Sequence, residues 1–236
     1  ATNGTLLAGQ AARLKGLGLK AVNISLDSLD PETFRRVTGA DLFRQTRAAI
    51  DECLEAGLKV KVNAVALKGV NDRELPAFLE LARTHPLDMR FIEFMPIGGD
   101  TAWDEKLLWP ASDILEQASR LADISPVTYG DEGHGPARMW AIAGGRGRLG
   151  VISGLTGHYC LSCNRLRLTC DGRLRPCLYS DVEYRLRPLL RSPKTGDARV
   201  LEVLRRALAR KPMGHKLLAE RAKRAVCAKP MTAIGG

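Results

Sequence analysis

Short runs of apolar, β-branched residues alternate along the first half of the chain with stretches whose apolar positions recur every three or four residues. Residues 21–26 (AVNISL), 60–67 (VKVNAVAL) and 89–95 (MRFIEFM) read as strands of a parallel sheet, short and apolar enough to be buried on both faces. Between them, residues 41–56 place Leu42, Thr46, Ala49, Ile50 and Leu54 on one helical face and stop at Gly57. Residues 73–83 repeat the arrangement with Leu75, Phe78, Leu79 and Ala82, and residues 6–17 are helix-like. Alternation of strand and helix at roughly thirty to forty residues predicts an α/β fold, either a βα barrel or an open parallel sheet.

After Pro96 the rhythm changes. A Gly-Gly-Asp loop leads to a helix expected from Ser112, a good N-cap, to about Ala122. From Pro136 the segments are short and strand-like (138–143, 149–152, 166–169 and 173–178), with Asp171-Gly172 as the turn between the last two. A basic helix is expected over 198–209. The division expected is a first region of residues 1–125, carrying the parallel strands, and a smaller α+β region of residues 126–236.

Composition narrows the class. The chain has 236 residues, 45% of them hydrophobic and 26% charged, enough to bury a core. The net charge of +10 favours anionic partners. No run approaches the roughly eighteen apolar residues of a membrane span, and no secretory pattern opens the chain, so a cytoplasmic protein with no membrane partner is expected. In a reducing compartment the six cysteines are thiols or metal ligands rather than disulfides. The start at Ala1-Thr2-Asn3-Gly4, without an initiating Met, reads as a chain cut at its front.

Cys160 and Cys163 form a C-x2-C pair, and Cys177 returns across the expected hairpin. Three ligands and an open position suit an iron–sulfur cluster; adding Cys170 gives the four closed ligands of a structural zinc site. Spacing alone leaves both open. Arg165 and Arg167 follow at once, and on a strand they share a face beside the metal, where guanidinium forks match phosphate oxygens. Without the cysteines they would read as solvated surface arginines.

Several motifs in order resemble the family of GTP 3′,8-cyclases, radical S-adenosylmethionine (SAM) enzymes that open molybdopterin synthesis. They are Thr2-Asn3-Gly4, Asn23-Ile-Ser25-Leu-Asp27-Ser28-Leu29-Asp30, Lys59-Val-Lys61-Val-Asn63, Lys68-Gly-Val-Asn71-Asp72, Arg90-Phe-Ile-Glu93-Phe-Met95-Pro96, Cys160-x-x-Cys163-Asn-Arg165-x-Arg167-Leu, Gly172-x-Leu-x-x-Cys177-Leu, and the terminal Gly235-Gly236. The resemblance spans essentially the whole chain. It implies a partial TIM-type βα barrel followed by a C-terminal region holding a [4Fe-4S] cluster on Cys160, Cys163 and Cys177, with one iron left to engage the purine of GTP. It further implies that Lys61, Arg165 and Arg167 hold GTP and that Ser25 and Met95 contact SAM. Thr2, Asn63 and Arg90 are lesser candidates. Each has a plainer role available: Lys61 could snorkel, Ser25 could cap a turn, and Met95 could fill core.

The implied reaction is cyclisation of GTP to (8S)-3′,8-cyclo-7,8-dihydroguanosine 5′-triphosphate, with SAM cleaved at a second [4Fe-4S] cluster held by a CxxxCxxC motif. No such motif occurs in these residues, so no catalytic residue is assigned, the chain alone is expected to be inactive, and an incomplete barrel with one exposed edge is expected. The implied partners are GTP, SAM and the downstream cyclic pyranopterin monophosphate synthase; a homodimer is allowed and nucleic acid is not expected. Two other classes remain: a basic zinc-containing nucleic-acid-binding module and a nucleotide-binding remnant. With aromatics at only 5%, a surface for stacking bases is weakly supported.

Overall fold

The computed structural model describes all residues except 99–102, 129–134, 158–159, 161–162, 195, 221–226 and 235–236. The terminal diglycine therefore lies outside the described residues. The chain forms two compact units, one of residues 1–94 and 104–157 and the other of residues 95–103 and 158–236.

In the first unit the order is α1 (Ala11–Gly16), β1 (Ala21–Ser25), α2 (Pro31–Thr38), α3 (Phe43–Glu55), β2 (Lys59–Ala66), α4 (Leu75–Thr84), β3 (Leu87–Glu93), α5 (Ala111–Leu121), β4 (Ile124–Val127), β5 (Arg138–Ile142) and β6 (Arg148–Ile152). The strands make one six-stranded sheet in the order β1-β2-β3-β6-β5-β4, parallel from β1 to β6 and antiparallel thereafter. The α/β class holds, with a mixed sheet. Strands β5 and β6, expected in the smaller region, complete this sheet instead.

Docking β6 against β3 depends on Gly147. A Cβ on Gly147 would lie 2.2 Å from the Leu87 carbonyl oxygen and 2.6 Å from that of Ala82. The turn seated there donates from the Arg146 and Gly147 amides to the Arg83 and Ala82 carbonyls, both at 2.9 Å. It thus satisfies acceptors that the end of α4 leaves open.

Strands β1 and β2 are not buried on both faces, contrary to expectation, whereas β3 keeps even Arg90 on its polar side buried. Along β2, Val60, Val62, Ala64 and Ala66 are buried, whereas Lys61, Asn63 and Val65 are half-buried and Lys59 is exposed. The apolar side packs beneath Ile50 and Cys53 of α3 and Phe78, Leu79 and Ala82 of α4. Phe78, Phe91 and Trp109 stack edge-on there at centroid distances of 5.3 and 5.5 Å. Period-two alternation gives the sheet one apolar and one polar side.

Helix boundaries shift where side chains from elsewhere intervene. The expected helix over 6–17 contracts to α1 because Gly9 takes φ +71° and its amide donates to the Glu52 carboxylate at 2.7 Å. Helix α5 begins at Ala111, ahead of the expected Ser112 cap, because the Ala111 amide donates to buried Glu93 at 2.9 Å. The Ser112 hydroxyl donates instead to Asp113.

The second unit contains β7 (Arg167–Leu168), β8 (Arg173–Arg175), β9 (Tyr184–Arg185), α6 (Arg187–Leu190), α7 (Asp197–Ala209) and α8 (Gly214–Glu220). The three strands form a small antiparallel sheet, and the Asp171-Gly172 turn between β7 and β8 forms as expected, with Gly172 at φ +78°. Fully buried Arg175 pairs with Glu183 at 3.0 Å and donates to the Ser180 carbonyl at 2.5 Å, while Lys229 reaches both Glu183 oxygens at 2.7 and 2.9 Å. Those contacts tie the C-terminal segment to the hairpin and neutralise a charge that burial would otherwise penalise. Among the described residues no helix is long and apolar enough to cross a membrane.

Candidate functional site

Register carries the polar face of the first unit's sheet across neighbouring strands in two rows. Asn23, Lys61, Asp88 and Arg148 are successive partners in one; Ser25, Asn63, Arg90 and Gly150 are partners in the other. A cavity of about 400 Å³ opens on this face, lined by Lys59, Lys61, Asp88, Arg90, Met139 and Arg148 among others. Four cations face one carboxylate, and that carboxylate is taken up by Arg148 through bonds of 2.7 and 3.1 Å. Arg90 donates to the Asn63 side-chain oxygen at 2.9 Å, and Gly150 makes room for it, since a Cβ there would meet the Arg90 Cγ at 2.8 Å. Fixed guanidinium and ammonium groups in a concave site favour a polyanion such as a chain of phosphates.

Lys61 and Arg90 thus line one cavity, with Asn63 holding Arg90. Ser25 is exposed at the end of β1. Thr2 extends the outer edge of β1, its amide donating to the Asn23 carbonyl at 2.9 Å and its carbonyl accepting from Ser25 at 3.0 Å. Lys59, Asp88 and Arg148 were not singled out from sequence. The i, i+2 spacing of Lys59 and Lys61 is the signal that identifies the first of them.

In the second unit, Cys160, Cys163, Cys177, Arg165, Arg167 and Tyr179 are among the residues lining a smaller cavity of about 40 Å³. Burial pushes the Cys177 thiol above its ordinary range. An amide hydrogen bond from Tyr179 opposes this, the Cys160 and Cys163 sulfurs push the same way as burial, and the Lys211 ammonium opposes it. Arg165 precedes β7 rather than lying on it, so the pair reaches the cavity from a loop and a strand start, not from one strand face. Met95 is half-buried beside Ile97 and Tyr179, and its sulfur accepts from the Tyr179 hydroxyl at 2.8 Å. Lys211, which the sequence reading passed over, donates to the Cys163 and Arg165 carbonyls at 2.7 and 2.8 Å and to the Cys163 sulfur at 3.4 Å.

The donor set can be compared with what each metal chemistry requires. Thiolates on one zinc ion, each about 2.3 Å from the metal, stand within about 4 Å of one another. Among the described residues no three His, Cys, Asp or Glu side chains are gathered to hold a single ion, and Cys170 is exposed on the turn after β7. Three thiols spread around a cavity, with cations beside them, fit an iron–sulfur cluster in which different irons take different thiolates.

Residues 1–82 match the model of the Radical SAM superfamily, and residues 87–217 match Molybdenum Cofactor Synthesis C. These two matches, over a mixed α/β unit and a cysteine-bearing second unit, place the chain in the radical SAM class of enzyme. Among similar proteins, GTP 3′,8-cyclase of Thermodesulfovibrio yellowstonii is 41% identical over 237 residues, covering 100% of this chain and 70% of that one. The same-named proteins of Syntrophomonas wolfei and Rhodobacter capsulatus are 41% and 44% identical, covering 92% and 91% of this chain and 66% and 65% of theirs. The chain belongs to the GTP 3′,8-cyclase family of radical SAM enzymes, with a role in molybdenum cofactor biosynthesis. It spans about two thirds of the length of these relatives. A [4Fe-4S] cluster and SAM are the cofactors that this family implies.

Proposed function

We propose that this chain supplies the GTP-holding portion of a GTP 3′,8-cyclase, which converts GTP to (8S)-3′,8-cyclo-7,8-dihydroguanosine 5′-triphosphate in the first step of molybdopterin synthesis. The observation that supports it most is the grouping of Cys160, Cys163, Cys177, Arg165 and Arg167 around one cavity. On this reading the three thiolates hold a [4Fe-4S] cluster. When bound, that cluster offers an iron without a protein ligand, open to a donor atom of the purine.

Arg165 and Arg167 would grip phosphate oxygens through bidentate hydrogen bonds, and Lys61 and Arg90, steadied by Asn63, would hold negative charge on the polar face of the sheet. Ser25 and Met95 would contact SAM, with Thr2 fixing the β1 edge next to Ser25. The sheet is then part of a TIM-type barrel whose ligands collect at strand ends. Orientation is the chain's contribution to catalysis: the ribose and base are held where reaction is favoured, and water is excluded. These residues contain no CxxxCxxC, so on this reading the cluster that cleaves SAM would be held on a motif outside them.

The test is GTP affinity of the anaerobically reconstituted chain with Arg165 and Arg167 both replaced by Ala. Affinity should fall at least tenfold, about 1.4 kcal/mol, while iron content is retained. Unchanged affinity would remove both arginines from the site.

A further inference from the structure

The half-buried ammonium of Lys211 has three N–H donors and three acceptors, and all three belong to the short stretch around the second cysteine. Two are main-chain carbonyls, of Cys163 at 2.7 Å and Arg165 at 2.8 Å, and the third is the Cys163 sulfur at 3.4 Å. A lysine ammonium radiates its donors from one compact charge, which suits three acceptors on a tight bend better than the planar fork of arginine. Lys211 lies just past the end of α7, its amide donating to the Leu208 carbonyl at 3.1 Å. The contact therefore fastens that helix end to a segment 48 residues earlier in the chain.

We infer that Lys211 is a positioning residue of the iron–sulfur site: it fixes the bend from Cys163 to Arg165 and sets a positive charge against the cluster's sulfur ligands. The inference rests on the cluster reading above. Hydrogen bonds and charges at cluster sulfurs help to set reduction potential, because reduction adds negative charge that a neighbouring donor stabilises. With its charge and hydrogen bond at Cys163, Lys211 makes the cluster easier to reduce. By holding the Arg165 carbonyl it also orients the backbone from which the first phosphate-gripping arginine projects.

The test is the midpoint potential of the reconstituted chain, measured by anaerobic redox titration alongside iron and sulfide content. Lys211→Met removes both charge and donors at similar length; Lys211→Gln keeps N–H donors without the charge. The midpoint of each iron-replete variant should fall, by roughly 59 mV for a tenfold change in a one-electron equilibrium, and more for Met than for Gln. Should Lys211→Met fail to fold or to hold iron, the Gln variant decides alone. Iron-replete variants titrating at the unmodified chain's potential would overturn the inference and leave the cluster assignment standing. An unmodified chain that takes up no iron would refute the cluster assignment itself, and the role of Lys211 with it.

Discussion

Replacing Glu93 by Gln changes one atom in the core of the first unit and should measurably lower its stability. The Glu93 side chain has no solvent exposure and only accepts hydrogen bonds. One oxygen takes the Leu155 and Thr156 amides at 2.8 and 2.9 Å; the other takes the Ala111 amide at 2.9 Å and the Thr156 hydroxyl. It joins the end of β3 to the start of α5 and to the chain leaving β6. A glutamine amide with its NH2 toward the Leu155 and Thr156 amides loses two hydrogen bonds; turned the other way it loses only the one from the Ala111 amide, because the Thr156 hydroxyl rotates to accept from the NH2, and this is the orientation it should adopt. With the loss of one hydrogen bond to a charged acceptor costing about 1.5–3 kcal/mol, the expected penalty is about 1.5–3 kcal/mol out of a typical stability of about 5–15 kcal/mol.

Urea unfolding followed by far-ultraviolet circular dichroism measures it. At a slope of about 3 kcal/mol/M the midpoint should fall by roughly 0.5–1 M. Glu80→Gln is the control, because its pairing with Arg83 at 2.7 Å is about half exposed on both sides, and it should leave the urea midpoint essentially unmoved. A Glu93→Gln variant within about 1 kcal/mol of the unmodified chain would refute the acceptor-only role of the carboxylate.

The two close-packed glycines should respond unequally to alanine. Gly147→Ala meets main-chain carbonyls that cannot yield and should cost roughly 3 kcal/mol or more, whereas Gly150→Ala meets the Met139 sulfur at 2.6 Å and the Arg90 Cγ, side-chain atoms that can shift, and should cost about 1–2 kcal/mol. Equal losses in urea midpoint would contradict the packing described. Asp27 gives a pH dependence: burial raises its carboxyl above the ordinary range, and the Val65 amide only partly opposes this. A raised folded-state value means the folded form binds the extra proton, so this contribution is present at low pH and is lost as pH rises through the raised value. Asp27→Asn keeps an acceptor for Val65 but does not ionise, so its stability relative to the unmodified chain should improve from pH 4 to pH 8; a difference independent of pH would exclude buried ionisation at this position.

Strands β1 to β3 and helices α3 and α4 were legible because each carries a full apolar face, and period 2 and period 3.6 separate cleanly in their sequences. Helix α2 was not, since Phe34 is its one buried residue. Its signal lay instead in its ends, Asp30 accepting from the Thr33 amide at 2.8 Å, Pro31 in the first turn and Gly39 at φ +74°. The polarity of one sheet face was missed because Val65 and Ile92 sit among the polar residues there and make the runs look uniformly apolar. At the cysteine-bearing cavity, Cys160, Cys163, Cys177, Arg165 and Arg167 stand close enough in sequence to be read together. Lys211 could not be found that way, because its partners lie more than forty residues upstream and nothing in Arg210-Lys211-Pro212 marks it.

The most direct measurement is anaerobic reconstitution of the chain with iron and sulfide, followed by metal analysis and electron paramagnetic resonance with and without GTP. About four irons per chain are expected, lost on replacing any of Cys160, Cys163 or Cys177 but retained in Cys170→Ser, with a signal that changes when GTP is added. Stoichiometric zinc that depends on Cys170, in a protein indifferent to GTP, would contradict the assignment.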